Sequence, residues 1–232
     1  MSYLLDGIAR AGELLASGDP ETFSAVAATL EATALAMAAA LALGLPAGFC
    51  LGYFRFPGKR ALRTLSDAFM AFPTVVIGLL VYALLSRRGP FGEMGLLFTV
   101  PGMALGLALL ALPMLVSLTA SAVEQMDARL RLTLRTLGAD NRQLLLGILW
   151  EARHGVMAGV VAAFGRVVSE VGIAMMVGGN IKWHTRTITT AIALETGKGE
   201  FAQGIALGMV LLAISMAVNG LLALLKRRGG AR

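Results

Sequence analysis

Charge is scarce in this chain. Asp, Glu, Lys and Arg make up 15% of its 232 residues, where about 25% is usual in a soluble domain. A surface so poor in charge excludes an ordinary soluble enzyme, and the apolar content excludes a disordered tail. Cysteine is nearly absent. The one present, Cys50, cannot make an internal disulfide, so a disulfide scaffold is excluded; at the end of an apolar run it reads as a small buried hydrophobe. The two histidines, His154 and His184, have no clustered acid or thiol near them in the sequence, so no metal site is expected. No glycine-rich loop leads to a Walker lysine, and neither HExxH nor GxSxG occurs. The motifs of an ATPase, a zinc protease and a serine hydrolase are therefore missing, and no catalytic residue is assigned. There is no repeat at fixed period and no low-complexity tract. The N-terminal stretch MSYLLDGIARAGELLASGDPETF has no basic cluster ahead of a long apolar run. It is not read as a signal peptide, and the first span is expected to serve as its own insertion signal.

What is abundant is apolar. Hydrophobic residues make up 57% of the chain and the mean hydropathy is +0.76, the composition of an integral membrane protein. A helix needs about 20 apolar residues to cross the hydrocarbon, and five segments qualify: about 22–54, 65–85, 96–118, 156–177 and 201–225. The fourth carries Arg166 and Glu170 inside it. Before the first, residues 3–15 alternate Leu, Ile and Ala with Asp6, Arg10 and Glu13, which predicts a short amphipathic helix on a membrane face. The fold class expected is all-α and polytopic, with about five transmembrane helices. Glycines at spacing four, such as Gly102 and Gly106, Gly155 and Gly159, or Gly204 and Gly208, predict close helix packing.

The net charge of +6 does not indicate a nucleic-acid partner, because the bases lie in short patches between the apolar runs. The loop between the first two spans, the loop after the third and the tail hold 13 Lys and Arg; the opposite side holds six, Arg10, Arg87, Arg88, Lys182, Arg186 and Lys198. The excess predicts an N-terminus outside and a C-terminus in the cytoplasm of the plasma (inner) membrane. The domain division that follows is a segment 1–20 outside, a transmembrane region 21–225 with a cytoplasmic loop at about 119–153, and a short basic tail 226–232.

That loop reads as two short helices around Gly138. Leu130, Leu134 and Leu137 lie on one face, and Asp140 or Asn141 is placed to cap the second helix. An interfacial hairpin tucked against the bilayer and a docking element for a cytoplasmic partner both fit this pattern.

The segment RTLGADNRQLLLGILWEARHGVMAGVVAAFGRVVSEVGIAMMVGGNI resembles the cytoplasmic loop, following helix and outer loop of ABC importer permeases. Their signature is Glu-Ala-Ala, three residues, Gly, then nine residues to Ile-x-Leu-Pro; here Gly138 matches the Gly, Leu132, Thr133 and Leu134 stand where Glu-Ala-Ala would, and Ile148 and Leu149 are followed by Trp150 and Glu151. The Leu-Pro step is absent, a departure the tungstate permeases share. The stretch from Gly178 to Ala202, with GGNI and RTITTAIALETGKGEFA, resembles the molybdate and tungstate branch, and the tungstate permeases in particular. The likeness runs from about residue 20 to residue 225.

The resemblance implies a fold like that of type I ABC importer permeases and a homodimer around a central path. It implies an ATP-binding subunit on the cytoplasmic side and an extracytoplasmic oxyanion-binding protein. No cofactor is expected on this chain, ATP and Mg²⁺ belonging to the partner ATPase. Arg135, Thr136, Leu137, Gly138, Ala139 and Asp140 would couple to the ATPase: Gly138 for the turn, Leu137 in an apolar groove, Arg135 and Asp140 at its rim.

Pathway or gate residues are expected in the fourth span and the loop after it. Arg166 and Glu170 are four apart on one helical face at membrane depth, where an ion pair serves either as a structural clamp or as a contact along the path. Gly178, Gly179 and Asn180 end the fourth helix, followed by a donor-rich stretch containing Lys182, His184, Arg186, Thr187, Thr189 and Thr190. Placed at a mouth, that stretch would favour an oxyanion; as a loop, it would cap the fifth helix. Molybdate, sulfate, phosphate or an organic solute are alternative cargoes. A membrane enzyme would have to be built from Arg166, Glu170, Glu31 and Asp67 alone, and an accessory membrane subunit would not need the two-helix loop.

Overall fold

The computed structural model describes residues 2–126 and 128–229. Its elements are α1 (Ser2–Ser17), α2 (Pro20–Tyr53), α3 (Lys59–Met70), α4 (Thr74–Leu85), α5 (Val100–Glu124), α6 (Ala128–Thr136), α7 (Asn141–Val168), α8 (Ile188–Gly197) and α9 (Phe201–Gly229), with a 3₁₀ turn at Gly92–Met94 and a π-helical turn at Ala174–Gly178. Residues 230–232 of the expected tail lie outside the described residues, as do the side chains of Lys226, Arg227 and Arg228 and, in the loop, of Arg129 and Arg131.

Four helices are long and apolar enough to cross a membrane, α2, α5, α7 and α9, and the bent pair α3–α4 makes up to five. α5 is the central one. Met103, Ala111, Leu115 and Ala120 along it are completely buried. α2 packs beside it in parallel, through a stripe of small residues at every fourth position. Ala28, Ala32, Ala36, Ala40, Gly44 and Gly48 are all buried, and a Cβ on Gly48 would come within 2.7 Å of the Thr119 Cβ and the Val116 carbonyl. Small side chains let two helix backbones approach closely, which is what dispersion-driven packing in lipid requires. α7 returns antiparallel to α5, Gly155 against Ala122 and Gly159 against Leu118. Outward faces remain apolar, with Leu43 65%, Leu109 50% and Leu212 62% exposed, the arrangement of a bundle surrounded by lipid rather than water.

The bundle thus has two ends. α2 and α5 finish, and α6 and the start of α7 sit, at the α6 end; α2 and α9 begin, and α8 lies, at the α8 end. At the α8 end Asp19 caps α2: its carboxylate accepts the Thr22 N–H at 2.9 Å and the Thr22 hydroxyl at 2.6 Å, and Pro20 occupies the first helical turn. The Thr22 hydroxyl holds the Asp19 carboxyl below its ordinary value. α1 forms as the amphipathic pattern predicts, but part of it is covered by protein. Ala11 and Leu14 are buried with Ala206 of α9, and Arg10 donates to Gln203 at 3.3 Å.

Two of the five expected spans are broken. The second, expected over residues 65–85, turns by 97° between α3 and α4. Pro73 lies at the turn, and a proline disfavours helical backbone at the residue before it. α4 has 12 residues, about 18 Å of helix, against roughly 30 Å of hydrocarbon. The fourth, expected over 156–177, also differs. α7 begins at Asn141, so the second loop helix and the span are one helix of 28 residues, and it ends at Val168. Gly178, Gly179 and Asn180 therefore close a separate short helical segment instead of the long helix. Cys50, expected to be buried, is exposed. It faces away from the Gly48–Thr119 contact, and a thiol pointing outward from an apolar helix stays in apolar surroundings.

Candidate functional site

The break after α7 is where polar groups gather at mid-depth. Glu170 is 4% exposed. One carboxylate oxygen accepts the Gly172 N–H at 2.9 Å and the Ile173 N–H at 3.4 Å; the other lies 3.3 Å from a guanidinium nitrogen of Arg166. Glu170 thus caps the short helix that follows, where exposed N–H groups and the helix dipole favour an anion. Arg166 is half-exposed at 46%, so the pair is a buried carboxylate held by a guanidinium with one open side.

Four threonines, Thr187, Thr189 and Thr190 with Thr29 of α2, lock this break to the rest of the bundle. The Thr189 hydroxyl donates to the Glu170 carbonyl at 2.9 Å and lies 2.9 Å from the Thr187 hydroxyl. Thr187 and Thr190 form a reciprocal capping box at the start of α8. The Ile188 N–H donates to the Thr29 hydroxyl of α2 at 2.9 Å, and that hydroxyl donates to the Ala25 carbonyl at 2.6 Å. Thr187, Thr189 and Thr190 are all buried. Their hydroxyls are engaged with the protein, so the donor-rich stretch read from the sequence is internal from residue 187 onward.

The loop before α8 is clamped from the α8 end. Glu21 on α2 takes both Lys182, at 2.7 Å, and Arg186, at 2.6 Å, and Arg186 also donates to the Asn180 side-chain oxygen at 3.2 Å. The Thr185 hydroxyl donates to the Gly178 carbonyl, and the Phe98 N–H to the Val177 carbonyl at 2.9 Å. Gly179 and Asn180 both have positive φ, 72° and 49°, the left-handed turn that Gly and Asn accept at least cost. Outside this clamp a charged cavity of about 580 Å³ opens between α1, α8 and α9, lined by Arg10, Glu21, Lys182, Arg186, Glu195 and Lys198 among others.

Of the expected pathway residues, the structure therefore joins Arg166, Glu170, Thr187 and Thr189 in one mid-depth network. It places Gly178, Gly179, Asn180 and Arg186 in a second group nearer the α8 end. Sequence reading missed Glu21, Thr29 and Phe98, whose partners lie far away in the chain. Among the described residues no group of three or more His, Cys, Asp and Glu side chains is placed to hold a metal ion.

The six residues assigned to coupling form the tip of the α6 end. Gly138 has φ 83°. The Ala139 N–H reaches the Leu134 carbonyl and the Gly138 N–H the Arg135 carbonyl, each at 3.0 Å, the bond pair of a Schellman stop. Asp140 then starts α7 with a capping box: its carboxylate accepts the Gln143 N–H at 2.7 Å, and the Gln143 side chain accepts the Asp140 N–H at 3.0 Å. Thr136 donates to the Thr133 carbonyl at 2.9 Å. Between stop and start, Leu137 is 78% exposed and Arg135 is exposed beside it.

A two-helix tip at one end of a polytopic bundle and a broken helix at mid-depth are the architecture of a type I ABC importer permease. The chain belongs to the family described as binding-protein-dependent transport system inner membrane component, which it matches over residues 44–229. It is 44% identical over 227 residues to the tungstate uptake system permease protein TupB of Campylobacter jejuni, covering 98% of this chain and 95% of that one. With TupB of Peptoclostridium acidaminophilum it shares 39% over 222 residues, covering 96% and 97%. Its fold is similar to that of the MetNI methionine ABC transporter in inward facing conformations, with a TM-score of 0.72 at 18% identity, covering 91% of this chain and 98% of that one.

Proposed function

We propose that this chain is the permease subunit of an ATP-driven tungstate importer. The observation that carries the reading is the 44% identity to TupB along nearly the full length of both chains. In this reading an oxyanion-binding protein delivers the anion at the α8 end, which faces outward. Two copies enclose the path, and an ATPase subunit with its ATP and Mg²⁺ docks on the turn Arg135–Asp140 in the cytoplasm. The chain catalyses no reaction itself. Residues 21–225 are the permease domain, 1–20 an outer segment and 226–232 a basic cytoplasmic tail.

The geometry suggests how docking reaches the path. α7 is unbroken from Asn141 to Val168, about 42 Å of rigid helix. Its first residues adjoin the docking turn and its last hand over to Glu170. A tilt of the tip displaces the Glu170 cap, and with it the short helix 172–178 and the Thr189 contact, while α5 stays fixed. A gate built this way is a packed element with two arrangements, biased from the ATPase side. Leu137 supplies the anchor; burying one such side chain is worth about 1.5–3 kcal/mol.

Tungstate and molybdate are both tetrahedral dianions, so discrimination between them belongs to the binding protein. Metal uptake by cells carrying this chain with its partner subunits tests the assignment. Tungsten accumulation from submicromolar tungstate, lost on deletion of this chain and restored on its return, supports it. Accumulation of molybdenum alone would replace tungstate with molybdate as cargo.

A further inference from the structure

The exposed faces of the long helices are not alike. α5 and α9 turn long apolar side chains outward, Leu105 and Leu109 on the one, Leu212 and Met216 on the other. On α7 the exposed line is Glu151, His154, Ala158, Ala162 and Arg166, at spacings of three and four. It continues to Ser169, just past the helix end. That line holds no long apolar side chain, and a Cβ on Gly165 beside it would meet nothing within 4 Å.

Arg166 lies deep in the bundle. Gly155 packs against Ala122 and Gly159 against Leu118; continued, this antiparallel register sets Arg166 level with Ala111, near the middle of α5. Its side chain is 46% exposed and, among the described residues, meets only Glu170, through one nitrogen at 3.3 Å. The Glu170 carboxylate also accepts the Gly172 and Ile173 N–H groups. Its negative charge is thus shared with the start of the short helix, and the guanidinium keeps positive charge toward its open side. A guanidinium at the middle of the hydrocarbon is expensive against lipid tails, and such groups face a protein interior or a water-filled cavity. A polar line on the outside of one subunit is kept from lipid by a second protein surface. The same line on a second copy supplies one.

We propose that this line of α7 faces the path between two copies, and that Arg166 from each forms an oxyanion contact at its middle. The proposal rests on the two-copy permease reading above and deepens it by naming a site. One guanidinium from each copy offers donors to opposite sides of a tetrahedral dianion, a contact that neither copy completes alone. Glu170 beside each Arg166 tempers the attraction, as conduction requires, since a site that holds too tightly does not release. Ala158, Ala162 and Gly165 leave room along the line for an anion to reach it.

The test uses the full-length chain made cysteine-free by Cys50→Ala, in membranes with its ATPase subunit. Single cysteines are introduced as Ala162→Cys, Ser169→Cys and Leu212→Cys. Two methanethiosulfonate reagents, one carrying a sulfonate and one a trimethylammonium, are applied to membrane fragments open at both faces. Ala162→Cys and Ser169→Cys are expected to react, and Leu212→Cys hardly at all. Corrected for rates with a free thiol, the anionic reagent should modify Ser169→Cys about fivefold faster than the cationic one, the ratio that one positive charge about 8 Å away gives in a water-like medium. Arg166→Lys should keep this preference. Arg166→Gln combined with Glu170→Gln leaves no unpaired charge and keeps an acceptor for the cap, and should abolish it. Cysteines at 162 and 169 that react no faster than Leu212→Cys would overturn the path. Equal rates for the two reagents in the parent, or a preference that survives the double Gln variant, would overturn the oxyanion contact. Millimolar tungstate is expected to slow the anionic reagent at Ser169→Cys. Slowing by sulfate but by neither tungstate nor molybdate would keep the site and remove tungstate as the cargo; slowing by none of the three overturns the site.

Discussion

The carboxylate of Glu170 accepts the backbone N–H of Gly172 at 2.9 Å, so a buried acid in the middle of a membrane bundle serves as a helix cap. Substitution should separate its two roles. Glu170→Ala leaves buried donors unsatisfied, a loss of about 1–3 kcal/mol. Glu170→Gln keeps an acceptor and loses only the ion pair with Arg166, and should cost less. Thermal unfolding of the detergent-solubilised protein measures both, and equal losses would argue against the cap.

Gly138 sits at φ 83°, and nothing lies within 4 Å of where its Cβ would stand, so backbone strain rather than crowding opposes a side chain there. Gly138→Val should cost about 1–3 kcal/mol locally and deform the docking turn. The expected outcome is normal insertion in the membrane with ATP turnover no longer linked to transport. Coupled transport at the parent rate would remove the turn from its assigned role.

The α2–α5 seam leaves no room for a side chain at Gly48. Gly48→Leu drives carbon into the Thr119 Cβ and the Val116 backbone, and overpacking costs about 1–3 kcal/mol or more. Loss of monodisperse protein after extraction is expected. Gly208→Ala, where nothing lies within 4 Å, should extract like the parent.

Asp19 ties the α8 end to pH. Its carboxyl is held below the ordinary value of 3.8 by the Thr22 hydroxyl, so the folded state favours the ionised form. The stabilisation is fully present above the unfolded value and disappears as pH falls through the lowered one. Asp19→Asn should therefore flatten the acid limb of the stability profile below about pH 4. Asp19→Ala should cost about 0.5–2 kcal/mol at neutral pH. A parent acid limb unchanged in Asp19→Asn would contradict the assignment.

The long apolar helices are legible in the sequence because a span needs only length and hydropathy. The first is expected at about 22–54, and α2 runs from Pro20 to Tyr53; the fifth is expected to begin at Phe201, as α9 does. Gly138 and Asp140 are legible as stop and start because both signals are local. The breaks are not, since hydropathy is blind to direction, although Pro73, Arg166 and Glu170 mark them. The hydroxyls of Thr187 and Thr189 read as free donors because their partners, each other and the Glu170 carbonyl 19 residues back, come together only when α8 folds against the break. No local pattern announces that Glu21 clamps Arg186, 165 residues away.

ATP hydrolysis by the complex in lipid, with the ATPase subunit and the binding protein loaded with one anion at a time, tests the central claim most directly. The account predicts stimulation by tungstate at concentrations well below those at which molybdate acts, and none by sulfate or phosphate. A complex that assembles and hydrolyses ATP without responding to tungstate would contradict it.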